Sequence, residues 1–269
     1  MDWLFSDGIY LLLFFVAVLA GFIDSIAGGG GLITIPALLS AGISPVQALA
    51  TNKLQSVGGS FSATLYFIRR RVIDLKAQRF AIFMTFIGAV SGAMLVQFIN
   101  PELLKQALPV LTIAIGLYFL LTPSIGAKDS KQRLGYYTFG VIIGGGIGFY
   151  DGVFGPGTGS FFALGYVMLL GYNLSKATAH AKLLNFTSNF GSLLFFILGG
   201  QVIWTIGLVM LCGQFIGARL GAGLVLTKGQ KLIRPMLVII SFLMSIKLIH
   251  DNHGDTIALW FSALFNWER

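Results

Sequence analysis

Ten apolar stretches follow one another along the chain, at roughly 8–26, 30–42, 45–68, 78–98, 102–122, 134–154, 157–172, 175–198, 202–226 and 232–250. Short polar connections separate them. Within each stretch the apolar residues are continuous and do not alternate, which predicts helices and argues against a membrane-crossing barrel. A helix needs about 20 apolar residues to cross a bilayer. Most of the stretches meet that length, while the second and seventh are short enough to be re-entrant. A last segment, 256–267 with Trp260 and Trp267, has the pattern of an amphipathic helix lying in the membrane interface.

Composition supports the same class. Of 269 residues, 56% are hydrophobic and 10% charged, with a mean hydropathy of +0.84. A soluble domain carries about a quarter charged residues, so this chain has too few to cover a water-facing surface. The 24 Phe and 35 Gly suit closely packed membrane helices. The expected fold is an all-α integral membrane protein of about ten (8–10) spanning helices. Cys212 is the single cysteine and lies in an apolar stretch, so no disulfide framework or CxxC motif exists.

The net charge of +8 is concentrated in three connections. Arg69, Arg70, Arg71, Lys76 and Arg79 form one cluster, Lys128, Lys131 and Arg133 a second, Lys228, Lys231 and Arg234 a third; together they hold 11 of the 18 basic residues. That distribution is the positive-inside pattern of cytoplasmic loops, not a nucleic-acid footprint. With these loops inside, ten spans leave both termini outside. The charge bias also reverses between halves. The basic Arg69–Arg79 connection corresponds to the uncharged Gly199-Gly200-Gln201, and Asn100–Lys105 corresponds to the basic Lys228–Arg234.

The two halves repeat each other. Gly21-Phe22-Ile23-Asp24 and the glycines after it match Gly148-Phe149-Tyr150-Asp151 and Gly155-Pro156-Gly157. Ala48 to Leu54 matches Ala177 to Leu183, and the GxxxG pair Gly88/Gly92 matches Gly213/Gly217. Five spans per copy place the copies in opposite orientations, an organisation typical of secondary transporters. The expected units are 1–125, an inverted second repeat at 134–250, and an outer or interfacial tail at 251–269.

The stretch GFIDSIAGGGGLITIPALLSAGISP with ALATNKLQ, and its counterpart GFYDGVFGPGTGSFFAL with KATAHAKLLN, resemble the TauE/SafE sulfite-exporter family over essentially the whole chain. That resemblance implies a multipass bacterial inner-membrane permease exporting small sulfur-containing or organic anions such as sulfite or organosulfonates. Some relatives carry cysteines able to handle sulfur, whereas this chain has Cys212 alone.

Asp24 and Lys53 are the only charged residues between positions 8 and 68. A charge at mid-membrane costs about 2.5–3.5 kcal/mol on insertion scales, so it faces a cavity or a partner. Lys53 and its counterpart Lys182 both sit deep in a span, approached from opposite sides, and two such cations make an anion site. Alternatively each lysine neutralises the aspartate of its own half, Lys53 with Asp24 and Lys182 with Asp151. Gly28, Gly29 and Gly30, and Gly157 with Thr158, precede short helices and can present backbone N–H groups to an anion. Asn52 and Gln55, and Asn185, Ser188 and Asn189, supply further hydrogen-bonding groups at helical spacing. Asp24, Asp151 and His180 are the candidates for proton coupling, His180 because imidazole titrates near neutrality.

The reading is therefore a secondary transporter of small anions, with an anion channel or, less favoured, a cation or metal carrier as alternatives. No nucleophile–base set or metal-ligand cluster points to an enzyme, a metal or a cofactor. The expected partners are the anion and the lipid bilayer, not nucleic acid. Homodimerisation is left open.

Overall fold

The computed structural model describes residues 7–95, 117, 120–121, 126–240, 242–243 and 246. All regular structure among them is helical. Helix α1 is Asp7–Ala27, α2 Gly31–Ser40, α3 Pro45–Arg69 and α4 Leu75–Leu95. In the second half, α5 runs through Tyr136–Phe139, Gly140–Gly145 and Gly146–Val153 without a break, followed by α6 Thr158–Leu169, α7 Leu174–Leu198 and α8 Trp204–Lys228. A further helix, α9, covers 230–240. Eight of the apolar stretches thus begin and end within a few residues of their expected limits. The fifth, 102–122, lies almost wholly outside the described residues, as does the tail at 256–267.

Among the described residues, four helices are long and apolar enough to cross a membrane by length and composition: α1, α4, α7 and α8. Helix α3 is as long as α7 at 25 residues but carries Thr51, Asn52, Lys53, Gln55, Ser60, Ser62 and Thr64, all buried. It is sheltered by its neighbours, not by its own hydrophobicity. Helices α2 and α6, of 10 and 12 residues, extend about 15 and 18 Å, roughly half the hydrocarbon thickness.

The burial pattern is inverted relative to a soluble protein. Leu11, Leu12, Phe15, Phe83, Ile142, Leu208 and Leu220 stand exposed on the outside, while two lysines, an aspartate and a histidine are buried within. In lipid an exposed leucine costs nothing, and buried polar groups hold helices together.

Helix contacts are set by glycine. A Cβ on Gly217 would run into the carbonyl of Val18, and one on Gly213 would lie 2.5 Å from the carbonyl of Phe14, so α8 packs backbone to backbone on α1. Gly88 and Gly92 of α4 meet the carbonyls of Gly145 and Phe149 in α5 in the same way. The first half thus packs its α1 on the second half's α8, and the second half packs its α5 on the first half's α4. Within α5 the Gly140–Gly145 turn is a π-helix, where Gly140 faces Phe80 and Gly144 faces Ala81 and Thr85. A side chain at either position would push the widened turn off α4.

The three basic clusters gather at one end of the bundle. The guanidinium of Arg219 lies 4.2 Å from the centre of the Tyr66 ring and that of Arg70 lies 5.1 Å from it, which joins the ends of α8 and α3. Arg219 therefore stacks on an aromatic face near the basic loop. Tyr166 donates to Gln78 Oε1 (2.6 Å), bringing the end of α6 to the start of α4. Ser130 N donates to the Gly171 carbonyl (2.6 Å), and Ser175 Oγ to that of Val225 (3.3 Å). The Gly199–Gln201 connection is at the opposite end, where Ile203 N donates to Thr51 Oγ1 (3.2 Å).

Candidate functional site

Lys53 and Lys182 are each the ninth residue of a 25-residue helix, α3 and α7. The two helices run antiparallel and pack on each other. Each lysine therefore lies about 12 Å along its helix from opposite ends of the bundle, and both side chains are buried.

Each ammonium group is paired, and each pair crosses between the halves. Lys53 Nζ lies 3.0 Å from Asp151 Oδ1 and also donates to the Asp151 backbone carbonyl at 2.5 Å. Lys182 Nζ lies 2.9 Å from Asp24 Oδ2. Pairing within each half, Lys53 with Asp24 and Lys182 with Asp151, is thus corrected. The physical reason lies in the helix packing: α1 is carried on α8 of the other half and α5 on α4, so each aspartate is delivered to the opposite lysine.

Each aspartate also holds the glycine turn that follows it. Gly28 (φ +74°) and Gly29 (φ +107°) lie in the left-handed region, which turns the N–H groups of Gly29 and Gly30 onto Asp24 Oδ1 at 3.1 and 3.2 Å. The backbone cradle is real, and the anion in it is Asp24 itself. In the second half, Gly155 (φ +97°) and Gly157 (φ +82°) turn the chain. The Thr158 hydroxyl then sits 2.8 Å from Asp151 Oδ1 and 2.7 Å from the Gly155 carbonyl.

These two turns cross in contact. A Cβ on Gly28 would lie 2.6 Å from Ser160 N, and one on Gly159 would lie 3.0 Å from Gly28 Cα and 3.1 Å from Lys182 Nζ. A Cβ on Gly155 would lie 3.2 Å from Lys53 Nζ. Ser160 Oγ donates across the crossing to the Ala27 carbonyl (2.5 Å). Both ammonium groups, both carboxylates and both turns therefore form a single cluster.

The amides extend it along α3 and α7. Asn52 Oδ1 accepts from Thr34 Oγ1 (2.6 Å) and from Gln55 Nε2 (3.0 Å), tying α2 to α3. Asn189 Nδ2 donates to the Asn185 carbonyl and Oδ1 at 2.7 and 2.9 Å, and Ser188 Oγ donates to the Asn185 carbonyl (3.1 Å). In this conformation these amides bond mainly to near neighbours, while Gln55 Oε1 is buried without a hydrogen-bond partner among the described residues. His180 lies nearer the basic end: its Nδ1 donates to the Lys176 carbonyl (2.8 Å), and its ring packs against Tyr166 and Tyr172. The structure brings Asp24, Asp151, Lys53 and Lys182 together and gives His180 different neighbours.

Gln214 of α8 belongs to the cluster although no motif points to it. Its side chain fills space left by Gly21, Gly30 and Gly59: a Cβ on Gly30 would lie 3.1 Å from Gln214 Nε2 and 2.9 Å from Asp24 Cβ. Its signal in the sequence is its place between Gly213 and Gly217, on the helix face that packs against α1.

Apolar helices enclosing a buried, cross-connected set of charges define a membrane transporter. The family model described as "Sulfite exporter TauE/SafE" matches residues 13–248, and the chain belongs to that family. It is 64% identical over 249 residues, 93% of each chain, to the "Probable membrane transporter protein YfcA" of Escherichia coli strain K12. To a "Probable membrane transporter protein" of Haemophilus influenzae it is 55% identical, covering 90% of this chain and 94% of the relative. The "Probable membrane transporter protein YunE" of Bacillus subtilis is 23% identical over 90% of this chain and 98% of its own.

Proposed function

We propose that this transporter moves small anions, sulfite or organosulfonates among them, out of a bacterial cell by alternating access of two inverted halves. The observation that carries this reading is the crossing of the two ion pairs. Charges paired within each half would neutralise that half alone. Pairs that cross exist only where the halves meet, so relative movement of the halves makes and breaks them. A small anion has the same chemistry as the two carboxylates: it competes for Lys53 and Lys182, for the N–H groups of Gly28 to Gly30 and for the donors of Gly157 and Thr158. Asn52, Gln55, Asn185, Ser188 and Asn189 then exchange their mutual hydrogen bonds for bonds to anion oxygens. The inverted repeat is supported by the equal register of the two lysines and by the exchange of α4 and α8 between halves.

Reconstitution into liposomes tests the reading. Uptake of labelled sulfite or an alkyl sulfonate is expected to saturate and to respond to an imposed pH gradient. Single-channel currents would instead establish a channel, and flux of cations alone would overturn anion transport.

The same reading predicts membrane orientation. With the basic clusters at one end of the bundle and Gly199–Gln201 at the other, cysteines introduced at Arg70, Lys131 and Lys231 should label only from the cytoplasm, and one at Gln201 only from outside. The C-terminus is expected outside as well. Labelling of positions 70 and 201 from one side would sink the inverted arrangement.

A further inference from the structure

Away from the charge cluster, a groove of about 490 Å³ opens where the first turns of α4 and α5 lie side by side, at the end that gathers the basic residues. Lys76 and Arg79 of α4 give it charge, while Phe80 and Phe83 of α4 with Tyr136 and Tyr137 of α5 give it aromatic walls. The Phe80 and Tyr137 rings meet edge to face with centres 5.1 Å apart, which joins the two helices. The Tyr136 hydroxyl lies 3.3 Å from that of Tyr172. The groove faces outward: Phe83 is 57% exposed and Tyr137 74%.

Helical spacing continues the groove down the outside of α4. Lys76, Arg79, Phe83 and Ile87 stand at i, i+3, i+7 and i+11, which is one face, and all four are exposed. That face is cationic in its first turn and apolar beyond it. Its length from Lys76 to Ile87 is about 16 Å, close to the hydrocarbon depth of one leaflet. Exposed Val141 prolongs the apolar side on α5. Neither cation is in an ion pair among the described residues. Asp74 is two positions from Lys76, but its Oδ1 accepts from Lys76 N and Ala77 N (3.0 and 3.2 Å) and caps α4. Arg79 Nε donates to the Lys76 carbonyl (3.2 Å), which folds the guanidinium back toward the first turn.

We propose that this groove binds an anionic glycerophospholipid of the leaflet at the basic end, with its phosphate at Lys76 and Arg79 and an acyl chain along Phe83, Ile87 and Val141. Basic pockets between spanning helices are suited to such headgroups. A soluble phosphate would use the two cations and leave the aromatic walls idle. A zwitterionic lipid would use the walls but bring its own cation against Lys76 and Arg79. A second copy of the chain docked through the same face would set like charges against each other. An anionic lipid uses both the charge and the apolar face. Its place is the α4–α5 contact that Gly88 and Gly92 build further along, so the bound lipid clamps a junction between the two halves. The site is independent of what the protein transports.

Native mass spectrometry of the full chain in a mild non-ionic detergent tests this. The probes are phosphatidylglycerol, phosphatidylcholine with the same acyl chains, and glycerol phosphate as a headgroup without chains. Wild type should retain phosphatidylglycerol about 25-fold more tightly than phosphatidylcholine, about fivefold for each cation. Excess glycerol phosphate should not displace it. Lys76→Gln/Arg79→Gln should lower phosphatidylglycerol to the level of phosphatidylcholine. Lys228→Gln/Lys231→Gln, which discharges another basic cluster at the same end, should leave it unchanged. All four side chains are exposed, and the same spectra report whether each variant is intact and monodisperse. Equal retention of the two lipids by wild type, or equal loss of phosphatidylglycerol in the two double variants, would overturn the site. Displacement by glycerol phosphate would assign the cations to a soluble phosphate, and a dimer lost only in Lys76→Gln/Arg79→Gln would assign the groove to a second copy; either result would overturn the lipid.

Discussion

Lys53→Met is expected to abolish anion transport and to destabilise the protein, and only the second defect should be repairable at Asp151. Methionine keeps the bulk of the side chain and removes its charge. What remains is Asp151, buried and stripped of its ammonium partner. Removing one member of a buried pair costs about 3–5 kcal/mol, because the other charge is left without compensation. In Lys53→Met/Asp151→Asn both charges are gone, so thermal unfolding should return close to wild type. Transport should stay absent if Lys53 binds the anion. Recovery of transport in that double variant would show that the lysine serves only to neutralise its aspartate. Lys53→Met/Asp24→Asn makes the converse point: it orphans both Asp151 and Lys182, so it should be less stable than either single variant. Asparagine at 24 can still accept from Gly29 and Gly30, so the turn itself is not the reason for any loss. Lys182→Met with Asp24→Asn or Asp151→Asn gives the mirror experiment.

Much of this architecture is legible in the chain alone. Helix limits follow from long apolar stretches closed by charged or glycine-rich connections, and the equal register of Lys53 and Lys182 follows from alignment of the halves. Pairing is not legible. The separations Asp24 to Lys53 and Asp151 to Lys182 are nearly equal, so the chain is silent on whether each aspartate turns to its own lysine or to the other. That is decided by glycine contacts at Gly213, Gly217, Gly88 and Gly92, which carry α1 and α5 onto helices of the opposite half. The role of the glycine turns is half legible. Their composition announces a backbone able to present N–H groups, yet Asp24 Oδ1 takes those of Gly29 and Gly30. Gln214 escapes because a single amide in an apolar helix has no periodic signature; its importance lies in the three glycines that make room for it. His180 shares α7 with Lys182, but two residues apart on a helix is about 200° around the axis, and its ring accordingly lies with Tyr166 and Tyr172.

The crossing of the glycine turns makes a prediction nearly as large as that for the lysines, and three alanine variants separate its causes. Gly200 has φ +65°, and a Cβ added there would meet nothing within 4 Å, so Gly200→Ala should cost only the left-handed backbone penalty, roughly 1–2 kcal/mol. Gly159 has ordinary helical geometry, but its Cβ would meet Gly28 Cα at 3.0 Å and Lys182 Nζ at 3.1 Å. Gly159→Ala therefore isolates the close approach, and overpacking of this kind costs about 1–3 kcal/mol. Gly28→Ala combines both effects: φ is +74°, and the nearest atoms are the backbone of Ser160 at 2.6 Å and Gly159 at 2.9 Å, which cannot rotate away. Its unfolding temperature should fall furthest of the three. Transport should separate them differently. Gly200→Ala, remote from the charges, should transport as wild type does, whereas Gly159→Ala and Gly28→Ala force apart the turns that hold Asp24 against Lys182. Wild-type transport together with wild-type stability in Gly159→Ala would mean that the two turns do not need their close contact, and the cluster would lose its claim to be one site.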